Sequence, residues 1–217
     1  MERLSSGHMK KTAAKAAGGR GYHHGNLRRA LLDGAIRLIG REGADALTLR
    51  AAARAAGVSQ AAPYRHFKDK RELLAAVAEE GFRLMAAGMR AAAAEHPDDA
   101  LGRFRACGHA YIAFARAHPA HFRVMFGPYV AHRSAYPALR EAAGESFALL
   151  EARIADGQKA GLIVDGDVRG LAIATWSMTH GFASLLVNGQ LDEHRDDELE
   201  ALTSRVTAAL FLGIGKR

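Results

Sequence analysis

Cys107 is the only cysteine in the chain, so no internal disulfide can form, and the composition suits a reducing compartment. Long apolar runs are scarce: none approaches the roughly 18–20 residues of a membrane span. No apolar h-region marks a signal peptide near the N-terminus. A soluble, cytoplasmic protein with no membrane partner is therefore expected. Strand-type alternation and internal repeats are both absent, which points to an all-α fold. Catalytic signatures are missing as well. There is no G-x-G-x-x-G after a strand, no P-loop and no G-x-S-x-G, and Gly213-Ile214-Gly215-Lys216 lacks the spacing of a phosphate loop. No enzyme and no cofactor are expected. Eleven histidines raise the question of a metal, and His118-x-x-His121, with His109 nine residues earlier, has ligand-like spacing. No cysteine pair completes such a site, and His118 stands before Pro119 at a helix end, where a histidine caps carbonyls. No metal site is expected.

What is present is uneven charge. The formal total is +7 over 217 residues. Residues 1–95 hold 17 Lys/Arg against 9 Asp/Glu, or +8, and the remainder 13 against 14, or −1. A basic first half joined to a neutral second half suggests a polyanion-binding module attached to something else. Residues 1–21 read as a disordered basic arm with Lys10, Lys11, Lys15 and Arg20, low in large apolar residues. Its opening MERLSSGHM is expected to be in part an expression leader ahead of a natural start at Met9.

Residues 22–75 read as a compact helical unit. Leu27, Leu31, Ala35, Leu38 and Ile39 form one apolar stripe over a first helix from Gly25 to Glu42, with Asn26 as cap and Gly43 as stop. Arg28 and Arg29 near its start are placed to touch phosphates. Thr48 is a good N-cap for a second helix, Leu49 to Ala56, which Gly57 ends by adopting a left-handed conformation. Val58 anchors the turn and Ser59 caps the next helix, read as Ser59 to Phe67. Two helices and a glycine turn of about three residues make a helix-turn-helix. Ala61 and Ala62 keep the front of the third helix slim for a major groove, with Gln60, Tyr64, Arg65 and His66 reaching outward. Pro63 falls in the first turn, where few backbone donors have partners to lose.

The residues Leu47-Thr48, Ala53, Ala56-Gly57-Val58-Ser59, Tyr64-Arg65-His66-Phe67, Lys70 and Leu73-Leu74 resemble, in order and spacing, the DNA-binding signature of the tetracycline-repressor (TetR) family of bacterial transcription regulators. Two positions depart from it. Ala52 stands where the family usually has a bulkier aliphatic, and Pro63 where it has an apolar residue other than proline. Both bear on the packing or tilt of the recognition helix. The resemblance implies a repressor that binds double-stranded operator DNA as a homodimer and answers to a small-molecule effector. It places Thr48, Arg50, Tyr64, His66 and Lys70 at phosphates. Gln60, Ala61 and Tyr64 lie at the groove-facing front of the recognition helix, Gln60 as base reader, and Ser59 and Arg65 complete the expected DNA-binding set.

Residues 76–217 read as a helical ligand-binding and dimerisation domain, giving near nine helices in all. Asp69 caps a long helix from Lys70 to about His96, roughly 40 Å at 1.5 Å per residue, and the domain boundary falls inside it near residue 75. Further helices are expected over 100–117, 119–126, 137–160, 168–187 and 196–212. The helix over 168–187 is apolar most of the way round and should be buried on several sides. Within it, Trp176 to Gly181 resembles the Trp…His-Gly element of one TetR ligand-binding class. The family binds effectors in this domain, so Tyr111, Phe114, Phe122, Met125, Phe126, Trp176 and His180 are candidate ligand contacts. Each has a second reading as ordinary core. The alternative function is a small-molecule-binding or catalytic helical protein for which DNA binding is secondary.

Overall fold

The computed structural model describes residues 24–191 and 193–215, so the N-terminal arm read from the sequence lies outside the described residues. Among them the fold is all-α, with eight α-helices: α1 (His24–Glu42), α2 (Leu49–Ala55), α3 (Lys70–Ala94), α4 (Ala100–Ala117), α5 (Pro119–Phe126), α6 (Pro137–Lys159), α7 (Val168–Val187) and α8 (Asp196–Ile214). Three short 3₁₀ turns join them, at Ala62–Arg65, Pro128–Val130 and Arg133–Ala135.

Local chemistry fixes most boundaries. The side chains of Thr48, Asp69, Asp99 and Asp167 accept from backbone N–H groups in the first turns of α2, α3, α4 and α7, satisfying donors that a helix start leaves unpaired. At the end of α2 the Gly57 N–H donates to the Arg54 carbonyl at 3.1 Å and that of Val58 to the Ala53 carbonyl at 3.0 Å. This is a Schellman motif, and it requires the φ of +68° that Gly57 supplies. α1 begins at His24, so Asn26 sits inside the helix rather than at its cap.

The recognition helix differs from its sequence reading. Instead of a helix over 59–67 there is a turn at Gln60–Ala61 and one 3₁₀ stretch, Ala62–Arg65. Pro63 is the cause. It has no N–H to give to the Ser59 carbonyl, and its ring disfavours the α conformation at Ala62. The Ser59 carbonyl accepts from Ala62 at 3.0 Å, and no side chain caps the stretch.

The stripe of α1 is buried throughout, with Leu31 and Ala35 at zero exposure, against Leu47, Leu49, Ala52 and Ala53. Ala52 helps bring α1 and α2 together. A Cβ added at Gly34 would lie 2.8 Å from the Ala52 carbonyl oxygen and 3.0 Å from the Ala56 nitrogen. One apolar core runs from Leu27 through α3 to Val187, and a smaller one joins Phe104, Ile154, Ile163, Ala172 and Leu210.

α7 departs from the expectation of burial on several sides. By length and a mean hydropathy of 1.2 it matches a membrane span. Its inner residues Ala172, Thr175, Thr179, Phe182, Ala183 and Val187 are buried in the protein, where it packs on α4, α6 and α8. On its outer side Met178 and Leu185 remain nearly half exposed, and Ile173 is as exposed on the side that lines the cleft described below.

Candidate functional site

The helix-turn-helix presents its expected residues unequally. Thr48, Arg50, Ser59, Gln60, Ala61, Tyr64 and Arg65 are exposed, Tyr64 at 57%. The Thr48 hydroxyl accepts from the Ala51 N–H at 3.0 Å and keeps its own proton for a further acceptor. The other residues are committed inward. The Lys70 ammonium donates to the Asp45 carbonyl at 2.9 Å, tying the start of α3 to the loop before α2 and leaving two donors. His66 has its Nε2 shielded with no partner among the described residues, so only its other ring nitrogen can face outward. Arg28 lies over the Phe67 ring at 5.7 Å. Arg29 does not stand ready for phosphate: it pairs with Asp33 at 2.5 Å and Glu80 at 2.7 Å.

That Glu80 pair reaches the second domain. The His121 ring on α5 lies 3.3 Å from the other Glu80 oxygen, so α1, α3 and α5 meet in one polar cluster. Gly81 lets α5 approach, because a Cβ there would overlap the Met125 sulfur. Met125 is therefore buried against α3. His118 and His121 meet edge to face at 5.7 Å. Among the described residues no three His, Cys, Asp or Glu converge as metal ligands.

α5 turns its other side to an aromatic cluster. Tyr111, Phe122, Phe126, Trp176 and His180 come together, with Phe122 stacked on His180 at 5.3 Å and Phe126 edge-on at 4.5 Å. Phe114 stays outside it, buried against His118. Within the cluster the Trp176 indole N–H donates to the Tyr111 oxygen at 3.2 Å. Indole can only donate, so the Tyr111 O–H turns to His180 Nδ1, at 2.7 Å. His180 is then neutral with its proton on Nε2, 3.3 Å from the Ser184 oxygen. Burial pushes the Tyr111 phenol well above its ordinary value and holds His180 below its own.

Burial lowers His121 as well, against the opposing pull of Glu80. Both imidazoles bind protons less readily folded than unfolded. Their stabilising contribution is full above the unfolded value near 6.5 and declines as pH falls below it. The melting temperature should therefore drop between pH 7.5 and 5.5, and less steeply in His121→Gln. A melting temperature flat across that interval would contradict this assignment.

An open cleft of about 400 Å³ lies in front of the cluster, between α3, α6 and α7. Tyr111, Phe126 and Trp176 line it, whereas Phe122 and His180 stand behind as support. An inner void of about 40 Å³ lies beyond Tyr111 and Trp176, toward Phe104, Thr179 and Leu210. The sequence candidates cover three of the fifteen lining residues; the rest of the wall includes Phe82, Met85 and Met89 of α3, and Phe147 and Leu150 of α6. The signal was there for α3, whose apolar residues occupy more than one side.

An N-terminal helix-turn-helix running through a continuous helix into an all-helical domain with an apolar cleft defines a ligand-sensing transcription regulator. Two family matches specify the kind. Residues 31–77 match "Bacterial regulatory proteins, tetR family", and residues 104–210 match "Tetracyclin repressor-like, C-terminal domain". The chain belongs to the TetR family and is a DNA-binding transcriptional regulator. A protein of unknown function from Rhodococcus sp. RHA1 is 36% identical, with a TM-score of 0.77 over 91% of this chain and 100% of that one. A tetR-family bacterial regulatory protein from Rhodococcus RHA1 is 21% identical, with a TM-score of 0.70 over 88% and 98%. The TetR family transcriptional regulator PfmR from Thermus thermophilus is 20% identical, with a TM-score of 0.67 over 83% and 96%. No protein of curated function matches the sequence.

Proposed function

We propose that the protein is a repressor that binds a palindromic operator as a homodimer and is released by a small, mostly apolar effector lodged in the cleft. The observation that carries this reading is the shared helix α3. Its first turns put Leu73, Leu74 and Val77 into the core under the helix-turn-helix, and over the next one to three turns Phe82, Met85 and Met89 wall the cleft. A molecule that fits one position of α3 better than another shifts the recognition elements with it, and only by as much as its affinities for the two states differ. The exposed apolar side of α7, with Leu212 of α8 at 81% exposure, supports a dimer through these helices. Two copies then present their recognition elements about 34–36 Å apart, one DNA turn, or a multiple of it.

On the DNA side Gln60 reads a base and Thr48, Arg50, Tyr64 and Arg65 hold phosphates, which set affinity and salt dependence rather than sequence preference. Gln60→Ala should cost roughly 1–3 kcal/mol on the operator and little on random DNA. Gel shifts with both DNAs read this directly. Unchanged discrimination in the variant would take the base-reading role from Gln60.

A further inference from the structure

The charges around the cleft say more than its apolar walls. Its lining includes three arginines, Arg133, Arg140 and Arg169, and no aspartate or glutamate. The Arg133 guanidinium is half-buried. It donates to the Met125 carbonyl at 2.7 Å and lies over the Phe82 ring at 4.9 Å, and burial lowers its pKa. No carboxylate pairs with it among the described residues. Arg140 is exposed and has no side-chain partner among them. Arg169 lies 5.3 Å from the Phe147 ring and pairs with Glu151 at 3.1 Å. Three cations therefore face one carboxylate at the mouth of an otherwise apolar cleft.

A half-buried cation without a counter-ion is costly, and a guanidinium fork matches the oxygens of a carboxylate or phosphate. A cationic ligand would add to the repulsion, and a neutral one would leave the charge uncompensated. We infer that the effector is an amphipathic anion. Its single carboxylate or phosphate head is held by Arg133, Arg140 and Arg169, and its hydrophobic body lies against Phe82, Phe126 and Trp176. This rests on the cleft being the effector site and specifies the ligand class that the site takes.

Trp176, the only tryptophan, lines the cleft and reports binding. The test titrates the full-length protein with four ten-carbon probes: decanoate, decyl phosphate, decanamide and decyltrimethylammonium. A naphthalene pair, 1-naphthoate and 1-naphthamide, covers rigid bodies. The anions should bind about tenfold or more tighter than the amides, and the cation weakest. Decanoate against decyl phosphate separates the two head groups. Arg140→Gln combined with Arg169→Gln changes two exposed side chains and should erase most of the preference while leaving decanamide binding unchanged. Amides that bind as tightly as anions would overturn the anionic class and leave the effector cleft standing, and a preference that survives in the double variant would overturn the three-arginine head-group site. If no probe alters Trp176 fluorescence, the cleft reading falls and the inference with it. Anions that bind in the expected order but do not dissociate operator DNA would uphold the ligand class of the cleft and overturn its role as the effector site.

Discussion

Met178→Glu is expected to leave the protomer folded, convert the protein to a monomer in solution and cut operator affinity about a hundredfold or more. Met178 is 46% exposed on the outer side of α7, two turns before Leu185 at 46% on the same side. Among the described residues its exposed half stays uncovered, so the substitution places a carboxylate in water and costs the isolated protomer little. Across a two-fold interface through α7 the same change occurs twice, once from each copy. Burying an unpaired charge costs about 3–5 kcal/mol, enough to dissociate an interface of ordinary strength at micromolar concentration. Sedimentation velocity checks the association state, and circular dichroism checks that helicity is kept. A variant that remains a dimer would place the interface elsewhere.

Gly34→Ala should lower the melting temperature, by up to about 8 °C, although alanine in a helix usually stabilises. Gly34 lies inside α1 and its replacement ought to gain about 1 kcal/mol of helix propensity. Here the added methyl meets the Ala52 carbonyl oxygen at 2.8 Å and the Ala56 nitrogen at 3.0 Å. Both are backbone atoms of the helix-turn-helix and cannot swing aside. Overpacking of this kind costs about 1–3 kcal/mol and outweighs the gain. Operator affinity should fall as well, because α2 and the turn after it are what move. Gly88 in α3 is the control: nothing lies within 4 Å of its added Cβ, so Gly88→Ala should raise the melting temperature by about 2–4 °C. A stabilising Gly34→Ala would show that α1 and α2 can separate without cost.

What the sequence disclosed was what local chemistry decides. Thr48 and Asp69 cap helices because an oxygen three residues from a free N–H needs no tertiary help. The stripe of α1 and the glycine stop at Gly57 were legible on the same grounds. Pro63 was seen but underweighted: its missing donor matters more in a helix meant to be only two turns long. Gly34 carried no mark at all, since its role depends on a carbonyl that the chain brings alongside 18 residues later. The same holds for the cleft. Tyr111, Phe126 and Trp176 were named among seven candidates, but Phe82, Phe147 and the three arginines enter only through the packing of α3, α6 and α7. Phe114 and Met125 share the composition of that wall but not its place, because composition cannot tell which side of a helix an apolar residue serves.

The single core that runs from Leu27 to Val187 has an energetic meaning for a protein with two tasks. No soft linker separates the halves, so they should melt as one cooperative unit rather than in sequence. Whatever occupies the cleft then stabilises helices that it never touches, by about 2.7 kcal/mol at a hundredfold excess over its dissociation constant. Operator DNA stabilises the same unit from the other end. Under the proposed induction the two ligands favour different forms of one folded body, and their affinities and concentrations decide which form prevails.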